Sequence, residues 1–246
     1  MYSEKKLLNP PIKEALISIS FTGVEITRLA EFCEITKKNY PKQKGMYELK
    51  ATIQNEELSS EGSRLVGYQL LSNDEKQFIT LRSDSISFHK IEPYSSWEEI
   101  KKESKLYFDE FQNLFPTLQI NEISTRYINS LKLSISEEDG FDKYLKLLPH
   151  LPVELPKVVE GYFLQIRLPK PEEKISSIIT QYVNSNTSDT VEIILDIHTF
   201  KKIENTDTNI WHLLELLRVF KNDIFFNSIT QVTKNLYNDS STNNDN

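Results

Sequence analysis

The sequence predicts an α+β fold in which an antiparallel sheet is covered on one face by two long helices. Three observations lead to this prediction. Residues 121–136 alternate apolar and polar side chains, an amphipathic helical stripe ends each half of the chain, and short turns separate the other strands. Because the order strand, short helix, several strands, long helix occurs twice, we predict two pseudo-repeated halves, at 1–120 and 121–237. We expect the halves to form one compact unit, followed by a disordered tail at 238–246 that has no apolar residue.

The first half opens with a strand and a helix. Two prolines favour extended backbone just before residues 15–21, which alternate apolar and polar side chains and therefore predict a strand. Thr27 is placed to cap a helix over 28–38. The residues that this helix turns toward the core are predicted to be Leu29, Phe32 and Cys33.

Four strands and a long helix complete the first half. Glu61-Gly62-Ser63 is typical of a turn, and similar residues separate the later strands. Ser95 with Glu98, or Ser96 with Glu99, forms a capping box at the start of the helix. Apolar side chains then recur every three or four residues until Pro116, which ends the helix. The strands are predicted at 47–55, 64–71, 77–82 and 85–91.

The second half begins with the strand at 121–136. Its buried face is predicted to carry Ile123, Thr125, Tyr127, Asn129, Leu131, Leu133 and Ile135. Its other face carries Ser124, Arg126, Ile128, Ser130, Lys132 and Ser134. The remaining elements are predicted as a short helix at 141–148, strands at 158–168, 174–184 and 190–200, and an uninterrupted helix from Asp207 or Thr208 to Leu236. The inward stripe of that helix is predicted as Ile210, Leu213, Leu214, Leu217, Phe220, Ile224, Phe225, Ile229 and Val232.

Composition narrows the classes of function. The net charge of −7 disfavours unspecific attraction to nucleic acid or to an anionic membrane surface. No run of about 18 apolar residues occurs, so we expect no membrane-spanning helix. One cysteine, Cys33, rules out an internal disulfide and suits a reducing compartment, so we expect a cytoplasmic protein.

Motifs for catalysis, cofactors and metals are missing from the sequence. The six glycines form neither GxGxxG nor GxxxxGK[ST], and no GxSxG elbow occurs. The four histidines are scattered and have no metal-ligand spacing. We therefore expect no metal, no cofactor and no catalytic residue. Cys33 is interpreted as a packed core residue, with a nucleophile as the alternative.

Charged residues on strands are the remaining site candidates. We predict that Arg126, with Arg82 or Arg167, presents a surface that binds an anion or an amide, because guanidinium donors on rigid strands suit such groups. Tyr68 would add a stacking face. The alternative is that these side chains are merely solvated or paired on an open sheet face. Asn129 is either a buried amide that sets the strand register or a ligand contact.

Several short motifs resemble a known family. Residues 9–15 read NPPIKEA and are similar to the N-x-P-I-x-E-A opening of a sporadically distributed family of uncharacterised bacterial proteins. The Gly67-Tyr68 pair, the segment at 93–98 and the Arg-Tyr-Ile-Asn segment at 126–129 resemble further landmarks of that family in the same order. Patchy occurrence in bacteria is typical of mobile genes, including toxin–antitoxin and phage-defence modules, and the resemblance implies no catalytic residue.

We therefore expect a non-enzymatic binding protein, an antitoxin or a phage-defence component that holds a protein partner. The acidic balance would suit a basic partner. One alternative is a small-ligand sensor or an enzyme that uses a cavity between the sheet and the long helices. Another is nucleic-acid binding through a local arginine groove, which the overall charge disfavours. Open sheet edges would also allow a homodimer.

Overall fold

The computed structural model describes residues 6–54, 57–134, 140–152, 154–155, 160–187, 190–204 and 209–238. The strands are β1 (Ile12–Thr22), β2 (Lys42–Gln54), β3 (Glu57–Leu71), β4 (Gln77–Arg82), β5 (Ser85–Ile91), β6 (Gln119–Leu133), β7 (Phe163–Lys170), β8 (Ile175–Asn186) and β9 (Val191–Lys202). The α-helices are α1 (Leu29–Thr36), α2 (Trp97–Leu114), α3 (Ile210–Ser228) and α4 (Gln231–Leu236).

The nine strands form an antiparallel sheet in the order β2-β3-β4-β5-β1-β6-β9-β8-β7. The predicted α+β class with an antiparallel sheet is therefore confirmed, and strands outweigh helices. By contacts, the chain divides into two compact units: residues 16–123 with 203–208, here called the 16–123 unit, and residues 1–15, 124–202 and 209–246, here called the 124–202 unit.

The 16–123 unit is held together by aromatic packing between its helices and strands. The ring of Phe111 from α2 lies 5.1 Å from Phe21 on β1 and 5.2 Å from Phe32 on α1, measured between centroids. The residues predicted to face the core from the first helix are buried, which confirms that face of α1. Ser96 caps α2 by accepting a hydrogen bond from Glu99 N at 3.2 Å, so the second of the two predicted capping positions is the one used.

Two local predictions in this unit are wrong. Thr27 does not cap α1, because it lies inside a 3-10 turn over Ile26–Arg28 and the helix starts without a side-chain cap. The predicted turn at 61–63 lies inside β3. There Gly62 has φ +106°, and the register slips by one residue between Lys50 and Ala51 of the partner strand. The glycine therefore forms a bulge within a continuous strand pair, and the chain reverses between Gln54 and Glu57, which are paired.

The face of β6 that was predicted to be buried is buried from Ile123 to Leu133. Its other face is mixed, because Arg126 and Lys132 are exposed whereas Ser124 and Ser130 are buried, so the alternation is confirmed only in part. Strands β7, β8 and β9 pair in sequence order. Residues of α3 pack on the buried face of β6, β8 and β9. The core between them includes Leu131, Leu133, Ile179, Ile193, Leu195, Ile197, Ile224, Phe225 and Ile229.

The predicted short helix at 141–148 is wrong. Only Phe141–Lys143 form a 3-10 turn, after which Leu145 pairs with Ile229 in an isolated antiparallel bridge. This tertiary pairing uses the backbone groups that a longer helix would need. Tyr144 and Leu145 are nevertheless buried.

The same contact interrupts the long helix that was predicted to be continuous. Ile229 is extended, and the Thr230 side chain accepts a hydrogen bond from Thr233 N at 3.4 Å, which starts α4 as a new helix. Thr230 N donates to Tyr144 O at 3.0 Å. Because α4 restarts the helical phase, Thr233 is buried and Val232 is 41% exposed, contrary to the predicted stripe.

Several predictions fall partly outside the described residues. These are the strand positions 135–136 and 158–159, the caps at Asp207 and Thr208, and the tail at 239–246. Asn209 caps α3 by accepting a hydrogen bond from His212 N at 3.1 Å. Asn238, the first residue of the predicted tail, accepts one from Leu8 N, also at 3.1 Å.

Candidate functional site

The sheet face of the 124–202 unit that lies opposite α3 is the candidate site, here called the open face. The pairing of Thr180 with Asp196 and of Ile178 with His198 places these four side chains on one side of β8 and β9. Since Gln165 pairs with Thr180, and Arg167 with Ile178, β7 adds two exposed side chains to that side. The strand residues of the core cluster point to the opposite side, so α3 and α4 leave this face uncovered within the described part of the unit.

An ion pair occupies the middle of the open face. Arg126 Nε lies 2.9 Å from Asp196 Oδ1, and Nη2 lies 2.6 Å from Oδ2, so the two planar groups meet side by side. The Arg126 side chain is 44% exposed and that of Asp196 is 13% exposed. The hydrogen bond to Asp196 raises the pKa of Arg126 further above its already high value. Asp196 therefore holds a permanently charged guanidinium in a fixed direction.

His198 lies beside this pair and is half-buried. Burial lowers its pKa, the charge of Arg126 lowers it further, and Asp196 opposes the change. The neutral form of the ring is therefore favoured, and in that form one of its nitrogens can accept a hydrogen bond. Its centroid lies 5.3 Å from that of Phe200, and the guanidinium of Arg167 lies 5.6 Å from the Phe200 centroid.

Aromatic side chains extend the open face along β7 and β8. The rings of Phe163 and Tyr182 stack with centroids 6.1 Å apart, and Phe163 is 67% exposed. Ile194 pairs with Tyr182 and is buried between the two ends of the face. The open face thus combines a polar centre with apolar and aromatic surroundings.

The predicted site residues are only partly brought together. Arg126 and Arg167 share the open face, and Arg126 is already paired. Arg82 and Tyr68 belong to the 16–123 unit, where Arg82 pairs with Gly67 at the exposed end of β4 and burial raises the pKa of Tyr68. Asn129 lies on the buried face of β6, away from the other candidates.

Asn129 makes the contacts of a structural amide. Its Nδ2 donates to Leu195 O of the neighbouring strand at 2.9 Å and to Tyr127 O at 3.3 Å. It is 3% exposed. These bonds tie β6 to β9 at one register, which is the first of the two roles predicted for this residue. Cys33 is likewise buried, and burial raises the pKa of its thiol to about 11, which opposes the nucleophile alternative.

Two polar groupings were missed by sequence reasoning. In the 16–123 unit, the Tyr40 hydroxyl donates to Glu103, whose pKa is raised by burial. Tyr107 accepts a hydrogen bond from Asn39 at 2.5 Å, and its ring packs edge-on against that of Tyr40 at 5.3 Å. This grouping joins the end of α1 to α2 and is satisfied by its own members. Its only sequence signal is a glutamate on the apolar side of a predicted helix.

The second missed group is Lys221 on the inner side of α3. Lys221 is 7% exposed, and its Nζ lies 3.6 Å from the centroid of the Tyr127 ring. Its sequence signal was available: it lies seven residues after Leu214 and four after Leu217, both of which are buried on the same side of the helix.

Comparisons with known proteins add no assignment. Neither protein-family models nor curated proteins give a match for this chain. Within the described ranges, no three histidine, cysteine, aspartate or glutamate side chains lie close enough together to hold a metal ion. Those ranges also include no helix with the length and apolar character needed to cross a membrane.

Proposed function

We propose that this chain is a non-enzymatic binding protein of the bacterial cytoplasm, an antitoxin or a phage-defence component, and that it holds a protein partner on the open face. One observation carries the proposal. The open face presents Phe163, Arg126 and Arg167 from rigid strands, and neither described helix of its unit covers them. An exposed aromatic side chain next to polar groups held in fixed positions offers a partner both an apolar anchor and hydrogen-bonding groups.

The residue types on the open face fit an interface centre. Aromatic and arginine side chains dominate the few interface residues that account for most of the binding free energy. Asp196 accepts from Nε and Nη2 of Arg126, and no described residue accepts a hydrogen bond from Nη1. A carbonyl or carboxylate of the partner could bind there without rearrangement of the arginine. The net charge of −7 favours a partner that is basic overall, because complementary charge speeds the encounter.

The experiment is quantitative co-purification with the product of a toxic neighbouring gene. The tagged full chain is compared with Phe163→Ser and Arg126→Ala, two changes on the open face. Removal of an interface hot spot loses about 2 kcal/mol or more, so we expect each variant to bind at least about tenfold more weakly.

The matched control is Leu106→Ser. Leu106 is a similarly exposed apolar residue, at 56%, but it lies on α2 of the 16–123 unit. Equal binding by wild type, both open-face variants and the control would place the partner elsewhere and contradict the proposal. Circular dichroism of each variant shows whether a loss of binding reflects a loss of fold.

We also infer that the two segments predicted as halves, 1–120 and 121–237, are pseudo-repeats. Each runs through a strand, a short helical turn, a set of consecutive antiparallel strands and a long helix. This common order supports the inference, although the segments differ in having four or three strands after the turn. An experimental structure in which the two segments fail to superpose strand by strand would refute it.

A further inference from the structure

Strand β7 is the last strand of the sheet, so one of its two edges has no neighbouring strand. Its alignment with β8 decides which backbone groups lie on that edge. Val183 N donates to Tyr162 O at 3.3 Å, and these two residues lie opposite each other in continuation of the β7–β8 register. In an antiparallel pair, residues that exchange backbone bonds alternate with residues whose backbone groups point away. The N–H and C=O groups of Phe163, Gln165 and Arg167 therefore point outward.

The position of Pro169 supports this alignment independently. A proline has no N–H to give to a neighbouring strand, so within a sheet it is tolerated where that position faces away from the neighbour. Pro169 pairs with Ser176 of β8 and follows Arg167 by two residues, which puts it in the same outward series. No described residue hydrogen-bonds to the outward backbone groups of Phe163, Gln165 or Arg167. Unpaired strand groups of this kind are a template for another strand.

The outward residues of β7 match a second copy of themselves. Two copies related by a twofold axis pair antiparallel, and outward residues then lie opposite outward residues. With the axis at Gln165, Phe163 of one copy lies opposite Arg167 of the other, and the two Gln165 amides meet. The Phe163 ring, which is 67% exposed, then packs on the aliphatic stem of that arginine. Opposite side chains lie about 4.5–5.5 Å apart at Cβ, within reach of such contacts.

The other side of the same edge is self-complementary as well. Leu164 and Ile166 pair with Gln181 and Ile179, which are buried on the side of β8 that faces the core, but Leu164 and Ile166 are themselves only half-buried. In the register centred on Gln165, Leu164 of one copy lies opposite Ile166 of the other. Each side chain therefore covers apolar surface that the other leaves exposed.

Registers shifted toward the end of β7 fit less well. With the axis at Ile166, Pro169 would lie opposite Phe163 and would offer it no N–H. With the axis at Arg167, two guanidinium groups would lie opposite each other, and like charges in that position are destabilising. The sequence of the strand therefore favours the register centred on Gln165 over these two.

We propose that this chain forms a symmetric homodimer in which the two β7 strands pair antiparallel about Gln165. The sheet of the 124–202 unit then continues from one copy into the other. Because the axis of such a pair is perpendicular to the sheet, the two open faces lie on the same side of it. The dimer uses the edge of the sheet rather than its face, so this proposal adds to partner binding and does not rest on it.

Sedimentation velocity of the purified full chain over a concentration series tests the dimer. We expect a species of about twice the 28.7 kDa mass of the chain. Gln165→Pro removes the outward N–H at the axis and leaves the backbone bonds between β7 and β8 in place. It should weaken self-association at least about tenfold, because the central pair loses its backbone bonds.

The matched control is Gln165→Ala, which keeps the outward N–H and should still form the dimer. Circular dichroism shows whether both variants keep their fold. A monomeric wild type, or self-association of Gln165→Pro as strong as that of the wild type, would overturn the proposal. The chain is measured without a partner, so this result is separate from the outcome of the co-purification experiment.

Disulfide cross-linking tests the register without a proline. Opposite residues that do not exchange backbone bonds lie about 4.5 Å apart at Cα, a separation that a disulfide can span. Leu164→Cys and Ile166→Cys are oxidised with copper phenanthroline, separately and as an equal mixture left to exchange subunits. Non-reducing electrophoresis measures the covalent dimer, which we expect in the mixture only. No covalent dimer in the mixture, or an equal yield from Ile166→Cys alone, would overturn the register centred on Gln165.

Discussion

Replacement of Lys221 by methionine should stabilise the protein, and by an amount that depends on pH. Methionine has a similar length and no charge, so it removes the penalty of burying the ammonium group while preserving most of the packing. The folded-state pKa of about 7 lies below the ordinary value of 10.5. Below pH 10.5 the unfolded chain therefore binds a proton that the folded chain does not bind until the pH falls to about 7.

The magnitude follows from proton linkage. One pKa unit corresponds to about 1.36 kcal/mol, so the shift from 10.5 to about 7 makes the wild type roughly 4–5 kcal/mol less stable at pH 7 than it would be with an unshifted lysine. This penalty is fully present at and below pH 7. It declines as pH rises through the window between the two pKa values and is lost above 10.5. Between pH 7 and pH 10 the advantage of the Met variant should shrink by about 3–4 kcal/mol.

Urea denaturation of both proteins at pH 7, 8, 9 and 10 measures this difference directly, since every other titrating group is common to them. Lys105→Met is the control at a half-exposed lysine, which pairs with Asp109 on the helix surface. A change of stability with pH as large as that of Lys221→Met would show that burial is not the cause. If the wild-type and Lys221→Met stabilities follow parallel curves over this range, Lys221 is not held in an uncompensated site and the reasoning fails.

Three other substitutions test the remaining features. Arg126→Ala should destabilise by about 1–2 kcal/mol in urea denaturation, because the Asp196 carboxylate loses its partner at a half-exposed site, and Arg126→Lys should restore part of the loss. Asn129→Ala should lower the free energy of unfolding by about 1–3 kcal/mol, since two hydrogen bonds to strand carbonyls disappear. An unchanged melting temperature would contradict a role of Asn129 in setting the register. Gly67→Ala should lower the melting temperature of the protein strongly, because the added Cβ would lie 2.1 Å from Leu81 O. The control is Gly161→Ala, where the added Cβ meets nothing within 4 Å and the melting temperature should not change.

The resemblance to an uncharacterised bacterial family stays a prediction, since no family model matches the chain. Its Gly67 landmark does have a physical role in this fold. Gly67 pairs with Arg82 of β4, and the register of β3 against β2 shifts at its partner Met46. The strands approach so closely there that no side chain fits. The Arg-Tyr-Ile-Asn landmark combines an open-face ion pair with two buried residues, Tyr127 and Asn129.

Two of the errors of the sequence-based predictions, both in the second half of the chain, share one origin. The helix predicted at 141–148 and the helix predicted to be continuous through residue 236 both fail at the pairing of Leu145 with Ile229. Each segment has a good helical stripe, and the stripe does describe which side chains are buried. The backbone conformation was decided by hydrogen bonds between segments more than 80 residues apart. The local periodicity of the sequence carries no information about such distant pairing.

The amino-acid sequence by itself determined which face of a strand or helix is buried. Alternation with a period of two identified the buried side of β6, and spacing of three and four identified the buried sides of α1 and α2, because both periods follow from local backbone geometry. Only the tertiary structure decided which side chains contact each other across the chain. Asp196 lies 70 residues from Arg126 along the chain, and Tyr127 lies 94 residues from Lys221. The charge environment of Arg126 and Lys221 therefore depends on which strand lies next to β6 and which helix packs on it.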